Sequence, residues 1–200
     1  GYADYEHVEL EGTAVGTRFL SHGTESRLEL IQSEKNGWRG ASGVQYLTRK
    51  FEAIGEEAFV PANRSTQFGM FTFQEIPLGG LQLEASLRHD WANLQAVSIN
   101  ADKSFSNLSA ALGLSYSSGL VKVGVNGSRT GRAPSAEELF SNGPHAATQA
   151  FEVGDVTLKS EKSWNGEVYA RFDNGPLEIS ATIYSNWFDG FIFEAEPGAT

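Results

Sequence analysis

Apolar and polar residues exchange places at every second position through most of this chain. In residues 81–91, LQLEASLRHDW, one parity carries Leu81, Leu83, Ala85, Leu87, His89 and Trp91, and the other carries Gln82, Glu84, Ser86, Arg88 and Asp90. Successive side chains of a β-strand point to opposite faces, so this alternation predicts a strand with one apolar and one polar face. Residues 105–116 align Leu108, Ala110, Leu112, Leu114 and Tyr116, and residues 120–129 align Val121, Val123 and Val125. In residues 159–173 the polar parity holds Glu161, Ser163, Asn165 and Glu167, with Trp164 and Val168 opposite. Residues 2–11, 24–34, 38–50, 66–76 and 177–193 complete a set of about nine predicted strands.

The breaks between them have a rhythm. Asn36-Gly37 is the strongest hairpin signal, because both central residues of a type I′ turn need positive φ. Tight turns are also expected at Pro77–Gly80, Ser117–Gly119 and Asn174–Pro176, and longer connections after the first, third, fifth and seventh strands, through 12–23, 51–65, 93–103 and 130–158. Short turns on one side and long loops on the other describe an antiparallel meander between two different compartments. The fold class is all-β, an up-and-down meander forming part of a transmembrane β-barrel wall.

The alternative is a soluble all-β ligand-binding or adhesion module, such as a carbohydrate-binding sandwich. A sandwich buries Leu83, Leu87, Leu112, Val123 and Ile179, whereas a barrel turns them to lipid. Residues 81–91 extend roughly 33 Å, enough when tilted for an apolar band about 25 Å tall. Trp38 and Tyr116 adjoin tight turns, and Trp91, Trp187 and Phe188 lie near the opposite strand ends, as two aromatic girdles would.

Composition changes this picture little. The 200 residues include 22 Gly and no Cys, so neither a disulfide nor a thiolate metal site is available. The formal net charge of −10 argues against a nucleic-acid partner. No apolar run approaches the length of a membrane-spanning helix, and the mean hydropathy of −0.29 is uninformative because alternating strands average to neutral. There is no G-x-S-x-G elbow and no Gly-Lys-Ser/Thr phosphate loop, and Glu56 and Glu57 diverge on an extended chain, so an enzyme is not expected and no cofactor is called for.

One stretch is more specific. Arg132-Ala133-Pro134-Ser135, Glu138-Leu139-Phe140 and Asn142-Gly143-Pro144-His145, followed by Leu158, Glu161, Ser163, Asn165 and Glu167, resembles the R-A-P-S-x-x-E-L-F-x-x-G-P-H and L-x-x-E-x-S-x-N-x-E motifs of TonB-dependent outer-membrane receptors. Tyr46 through Phe51 and Gly55-Glu56-Glu57-Ala58-Phe59-Val60-Pro61 are similar to a subgroup of the same family. The resemblance implies a central-to-late section of a 22-stranded barrel in the outer membrane of a Gram-negative bacterium, contacting outer-membrane lipid. It also implies a plug domain of the same receptor, absent from residues 1–200, and TonB acting through that plug. The implied function is uptake of a metal complex, a ferric siderophore or zinc.

Under that resemblance, Glu161, Asn165, Glu167, Arg171, Glu84, Arg88 and Asp90 face the lumen, either against the plug or simply solvated. The segment 133–157 becomes an extracellular loop. Its His145, Glu137, Glu138, Glu152 and Asp155 are candidates to bind a metal or its chelate, since imidazole and carboxylate suit zinc and iron. The competing readings are that Glu137 and Glu138 favour the start of a short helix after Pro134, and that His145 serves structure.

Overall fold

The computed structural model describes residues 1–11, 14–55, 58–145 and 150–195. Gly12, Glu56, Glu57 and residues 146–149 lie outside the described residues. The chain forms β1 (Tyr2–Glu11), β2 (Ala14–Lys35), β3 (Trp38–Gly55), β4 (Asn63–Leu78), β5 (Leu81–Ala96), β6 (Ala101–Ser118) and β7 (Val121–Arg132). A short helix α1 (Ala136–Phe140) and a small hairpin of β8 (Asn142–His145) and β9 (Ala150–Val153) follow, then β10 (Glu161–Asp173) and β11 (Glu178–Asp189). Nine strands pair in the order β1-β2-β3-β4-β5-β6-β7-β10-β11, each antiparallel to its neighbour, so the expected meander is present.

Several strands run further than the sequence pattern indicated, and two connections expected to be long are short. β2 begins at Ala14 because Gly23 continues the ladder: it pairs with Ala3 and Arg49 and needs no positive φ. Glycine weakens a strand interior without ending it. The expected loop 93–103 is mostly strand, turned by a 3₁₀ element at Val97–Ile99 whose cap, Asn100, takes φ 52. Across that hairpin the Asn93 amide donates to Asp102 at 2.6 Å and to Ser104 at 3.0 Å, and the Gln95 amide donates to Asp102 at 3.0 Å. These crossed amides support strands that continue beyond the apolar band.

At the opposite end the tight turns form as expected. Asn36 and Gly37 adopt φ 55 and 79, the pair of left-handed conformations a type I′ turn demands. A Cβ on Gly37 would also stand 2.9 Å from Pro77 Cγ. Gly37→Ala is therefore expected to cost about 1–2 kcal/mol, from the left-handed backbone alone, in denaturant unfolding of the full-length protein.

Register assigns the faces. Leu87 pairs with Thr72 and Ala110, Leu112 with Ala85 and Gly127, and Val123 with Tyr116 and Ala170, all on the apolar face. Leu87, Leu112, Val123 and Ile179 are exposed, and Leu83 is half-buried. No second sheet covers them: the other described sheet is the two-stranded β8-β9 hairpin. At one height Tyr46, Phe68 and Trp91 form a cross-strand row, and Phe68 stacks on Trp91 with centroids 5.8 Å apart. Trp164 pairs with Trp187 on the same face. Phe188, next in sequence to Trp187, falls by alternation on the polar face and packs against Phe191, so it belongs to no girdle.

The polar face converges. Arg88 of β5 reaches past β4 to Gln45 of β3 at 3.1 Å, and Arg27 of β2 lies 4.4 Å over the Phe71 ring of β4. Such reach between strands two apart is easiest on a concave surface.

Candidate functional site

The concave face is covered at one end by a lid built from α1 and the β8-β9 hairpin. Its start is local chemistry. Ser135 caps α1: its hydroxyl accepts the Glu138 N–H at 3.2 Å, while Glu138 Oε2 accepts the Ser135 N–H at 2.7 Å. This reciprocal box satisfies two of the helix's orphan donors, and Glu137 and Glu138 lie in its first turn, where carboxylates are favoured. Leu139 and Phe140 then point to the wall and pack with Leu94 and Ala96 of β5.

The chain turns back over α1. Gly154 donates to the Ser141 carbonyl at 2.7 Å and Asp155 to the Glu138 carbonyl at 2.9 Å. A Cβ on Gly154 would meet the backbone of Leu139 at 2.7 Å, so only glycine allows this approach. The β3-β4 connection joins in: Asn142 donates to the Phe59 carbonyl at 2.7 Å, and the Phe59 ring stacks on His145 at 4.2 Å. Nothing local in the sequence announces this contact. The run Phe59-Val60-Pro61 inside a connection is its one signal, since solvated loops are rarely so apolar.

Arg132, which the sequence patterns did not single out as a site, ties the lid down. Its guanidinium donates to both Glu138 oxygens at 2.8 and 3.1 Å and to Glu161 at 3.3 Å. Glu161 also accepts the Ile192 N–H at 2.9 Å. The last residue of β7, the helix, the first residue of β10 and the segment after β11 thus share one hydrogen-bonded group.

This group lies three residues beyond the Trp164–Arg129 register pair, outside the apolar band. The Ile192 amide, with the Arg132 guanidinium adding to it, holds the Glu161 carboxyl below the ordinary carboxylate range. A depressed folded pKa contributes stability that is present above the unfolded value and is lost as pH falls through the folded one. The latch is expected to hold at neutral pH and to open in acid, below the usual carboxylate range. The protection factor of the Ile192 amide, followed down the pH scale, checks this, and Glu161→Gln should remove the acid step.

Four of the five sequence candidates, Glu137, Glu138, Glu152 and Asp155, border one open pocket of about 610 Å³ beside the lid. His145 Nδ1 lies 2.6 Å from Glu152 Oε1 across the hairpin, so these two meet within the lid. Glu138 is engaged in the cap and with Arg132. Asp155 accepts from the Thr157 hydroxyl at 2.6 Å and from its N–H at 2.7 Å, and these bonds lower its pKa, the hydroxyl most. Glu137, half-buried, borders the open space beneath the lid. Among the described residues no three of His, Cys, Asp and Glu are grouped to hold a metal ion.

The expected lumen residues all fall on the concave face. Glu84 pairs in register with Glu75 and Gly113. Arg88 forms a two-pronged ion pair with Asp90 at 2.6 and 2.7 Å, and the Gln67 amide donates to Asp90 at 2.9 Å. Gly69 leaves the room this pair occupies. Asn165 donates to Asn186 at 2.8 Å, Glu167 accepts from Asn126 at 3.0 Å, and the Arg171 guanidinium lies 5.2 Å over the Tyr169 ring.

Between lid and wall lies a cavity of about 470 Å³ lined by Arg49, Gln67, Asp90, Asn107, Arg132 and Glu137 among others. Leu47, Ala92, Leu94, Pro134 and Ala136 complete the lining, so charged and amide groups stand beside an apolar floor. A Ser–His contact, His89 Nε2 to Ser106 Oγ at 2.8 Å, lies instead on the apolar face with the ring stacked on Trp91 at 4.2 Å.

Solved structures share this fold. A double mutant of the Serratia marcescens hemophore receptor HasR, in complex with its hemophore HasA and heme, is 17% identical over 88% of this chain, with a TM-score of 0.70. The copper transporter OprC is 16% identical over 88%, with a TM-score of 0.69. The FrpB iron transporter from Neisseria meningitidis is 13% identical over 86%, with a TM-score of 0.65. The match covers only 34%, 31% and 28% of those chains, so this chain spans about a third of their length. A model of the TonB-dependent receptor-like β-barrel matches residues 3–200, and the chain belongs to that family.

Proposed function

We propose that this chain is a wall section, with its extracellular lid, of an outer-membrane receptor that takes up a metal complex. The family is one of receptors and transporters rather than enzymes. The observation that carries the reading is the two-faced wall: an uncovered apolar face, and a concave polar face roofed at one end by a lid with a cavity beneath. The apolar face meets outer-membrane lipid. The polar face, with Glu84, Arg88, Asp90, Glu161, Asn165, Glu167 and Arg171, meets a plug domain supplied elsewhere in the receptor, through which TonB delivers energy.

A second observation favours an organic chelate over a bare zinc ion as cargo. On the concave face at the lid end Tyr5, His7, Phe19 and Phe51 form a chain of rings with centroids 6.0–6.5 Å apart, and the Arg49 guanidinium lies 5.2 Å over Phe51. Flat conjugated groups, of the kind a siderophore or a heme carries, stack on such a surface. The structures of similar fold are a heme-bound hemophore receptor, a copper transporter and an iron transporter. Among the lid candidates, His145, Glu138, Glu152 and Asp155 build the lid itself, and Glu137, which borders the cavity, is the residue we assign to cargo there.

Uptake by the full-length receptor tests this. A deletion strain with and without the gene is offered labelled zinc, a labelled ferric siderophore and labelled heme, with TonB intact or removed. Gene-dependent gain of a chelate only with TonB intact is the expected result. Gain of zinc alone would overturn the chelate, and no gain of any would overturn the metal cargo while leaving the barrel wall in place.

A further inference from the structure

The ladder between β6 and β7 stops at the Ala110–Arg129 pair, although β6 continues to Ala101 against β5 and β7 continues to Arg132 against β10. The two strands part there. Side chains take over main-chain groups freed by the parting: Arg129 donates to the Leu108 carbonyl, and Ser109 Oγ accepts the Gly131 N–H at 3.1 Å. Asn107 stands at the parting with its amide against Gly131, where an added Cβ would lie 3.1 Å from Asn107 Oδ1. It is 6% exposed and borders the cavity between lid and wall. Among the described residues its side-chain amide has no hydrogen-bond partner. Asp90, its partner in register, is already taken by Arg88 and Gln67. A buried amide gives up its bonds to water, and native interiors rarely leave one without a replacement. At the wall of a cavity the replacement comes from what enters the cavity.

The surroundings describe the guest. An amide carries a donor and an acceptor side by side, so its two-point match is another amide, whose N–H donates and whose C=O accepts. The charged residues of the lining are Arg49, Arg132, Asp90 and Glu137, two of each sign. Arg132 and Asp90 are spent on partners of their own, so the lining favours no net charge on the guest. The apolar floor beside Asn107 takes a small hydrocarbon group.

We propose that Asn107 is a cargo-binding residue, and that the group it holds is the amide of an uncharged, peptide-like arm with a small apolar substituent. The proposal rests on the uptake of an organic chelate argued above and names the arm by which the chelate is held. Residues 134–137 of the lid border the same cavity, so a guest on Asn107 touches wall and lid together. Binding to the closed form alone slows lid opening in proportion to guest concentration over Kd.

The test uses the purified full-length receptor and a metal-free probe, N-acetylalanine methylamide. Its control is methyl O-acetyl-lactate, in which ester oxygens replace both N–H groups. Exchange of the Gly154 and Asp155 amides reads lid opening. The amide probe at ten times its Kd should slow that exchange about ten-fold in wild type, and the ester should bind at least about five-fold more weakly. In Asn107→Ala the amide should bind no better than the ester, because the group that tells them apart is gone. Asn107→Leu reads the same comparison if the alanine variant does not fold. No slowing by the amide probe, or equal slowing by amide and ester in wild type, overturns the proposal. A variant that binds both more weakly but keeps the preference for the amide shows a structural role and overturns it too. The cargo reading is judged apart from this. A receptor that prefers the amide through Asn107 but takes up no metal complex loses that reading and keeps the site. One that takes up a chelate but shows no such preference keeps the reading and loses the site.

Discussion

Leu112→Lys in the full-length receptor is expected to cost about 2–4 kcal/mol of folding stability in a bilayer. Leu112 is 60% exposed, the state in which a substitution on a water-soluble protein usually matters least. Its partners in register are Ala85 and Gly127 on the apolar face. It lies near the middle of the span between the aromatic row at Trp91 and the tight-turn end, where Leu81 pairs with Tyr116. A lysine amine there, with Ala85 and Gly127 beside it in register, must either enter hydrocarbon or bend towards an interface. Ala111→Lys, one residue away on the polar face beside Ser86 and Ser128, is the matched control and should cost little. Denaturant titration of the receptor in vesicles reads both. Equal small costs for the two would mean that the apolar face meets water or another protein rather than lipid.

The contrast between positions 111 and 112 rests on the feature that was most legible in the sequence. The two-residue alternation in 81–91, 105–116 and 159–173 assigned both faces before any coordinate, because a strand's side-chain direction depends on parity alone. Strand ends were less legible. Gly23 and Asn93 read as breaks, yet Gly23 is paired on both sides and Asn93 spends its amide across the hairpin. Whether a glycine or an asparagine ends a strand depends on neighbours that a single segment does not name. The helix after Pro134 was readable as a short helical start from Glu137 and Glu138, and the structure adds the Ser135–Glu138 capping box. Its docking was not readable. Arg132 meets Glu161, and Phe59 meets His145, only after the wall has brought distant segments together. The loop candidates named from sequence were chosen for their ligand chemistry, and in His145, Glu138, Glu152 and Asp155 that chemistry is engaged in bonds that build the lid.

That makes the lid's own stability a quantity that can be moved separately from the wall's. Leu139 is 1% exposed and packs with Leu94, Ala96, Ala136 and Phe140, the apolar cluster that holds the lid to β5. Removing a buried leucine side chain down to Cβ costs about 2–5 kcal/mol, because the cavity adds to the lost transfer energy. Here the loss should fall on a local opening, since the wall's pairing does not pass through α1. In Leu139→Ala the amides of Asn142, Gly154 and Asp155, which bond to Phe59, Ser141 and Glu138, are therefore expected to exchange at least about 30-fold faster. Amides in the wall's ladders, such as that of Leu87, should be unchanged. If the lid must lift for cargo to pass, the same variant admits it more readily and retains it less well. Uniform acceleration of lid and wall alike would show instead that the lid is part of the wall's cooperative unit, and that cargo must enter around it rather than beneath it.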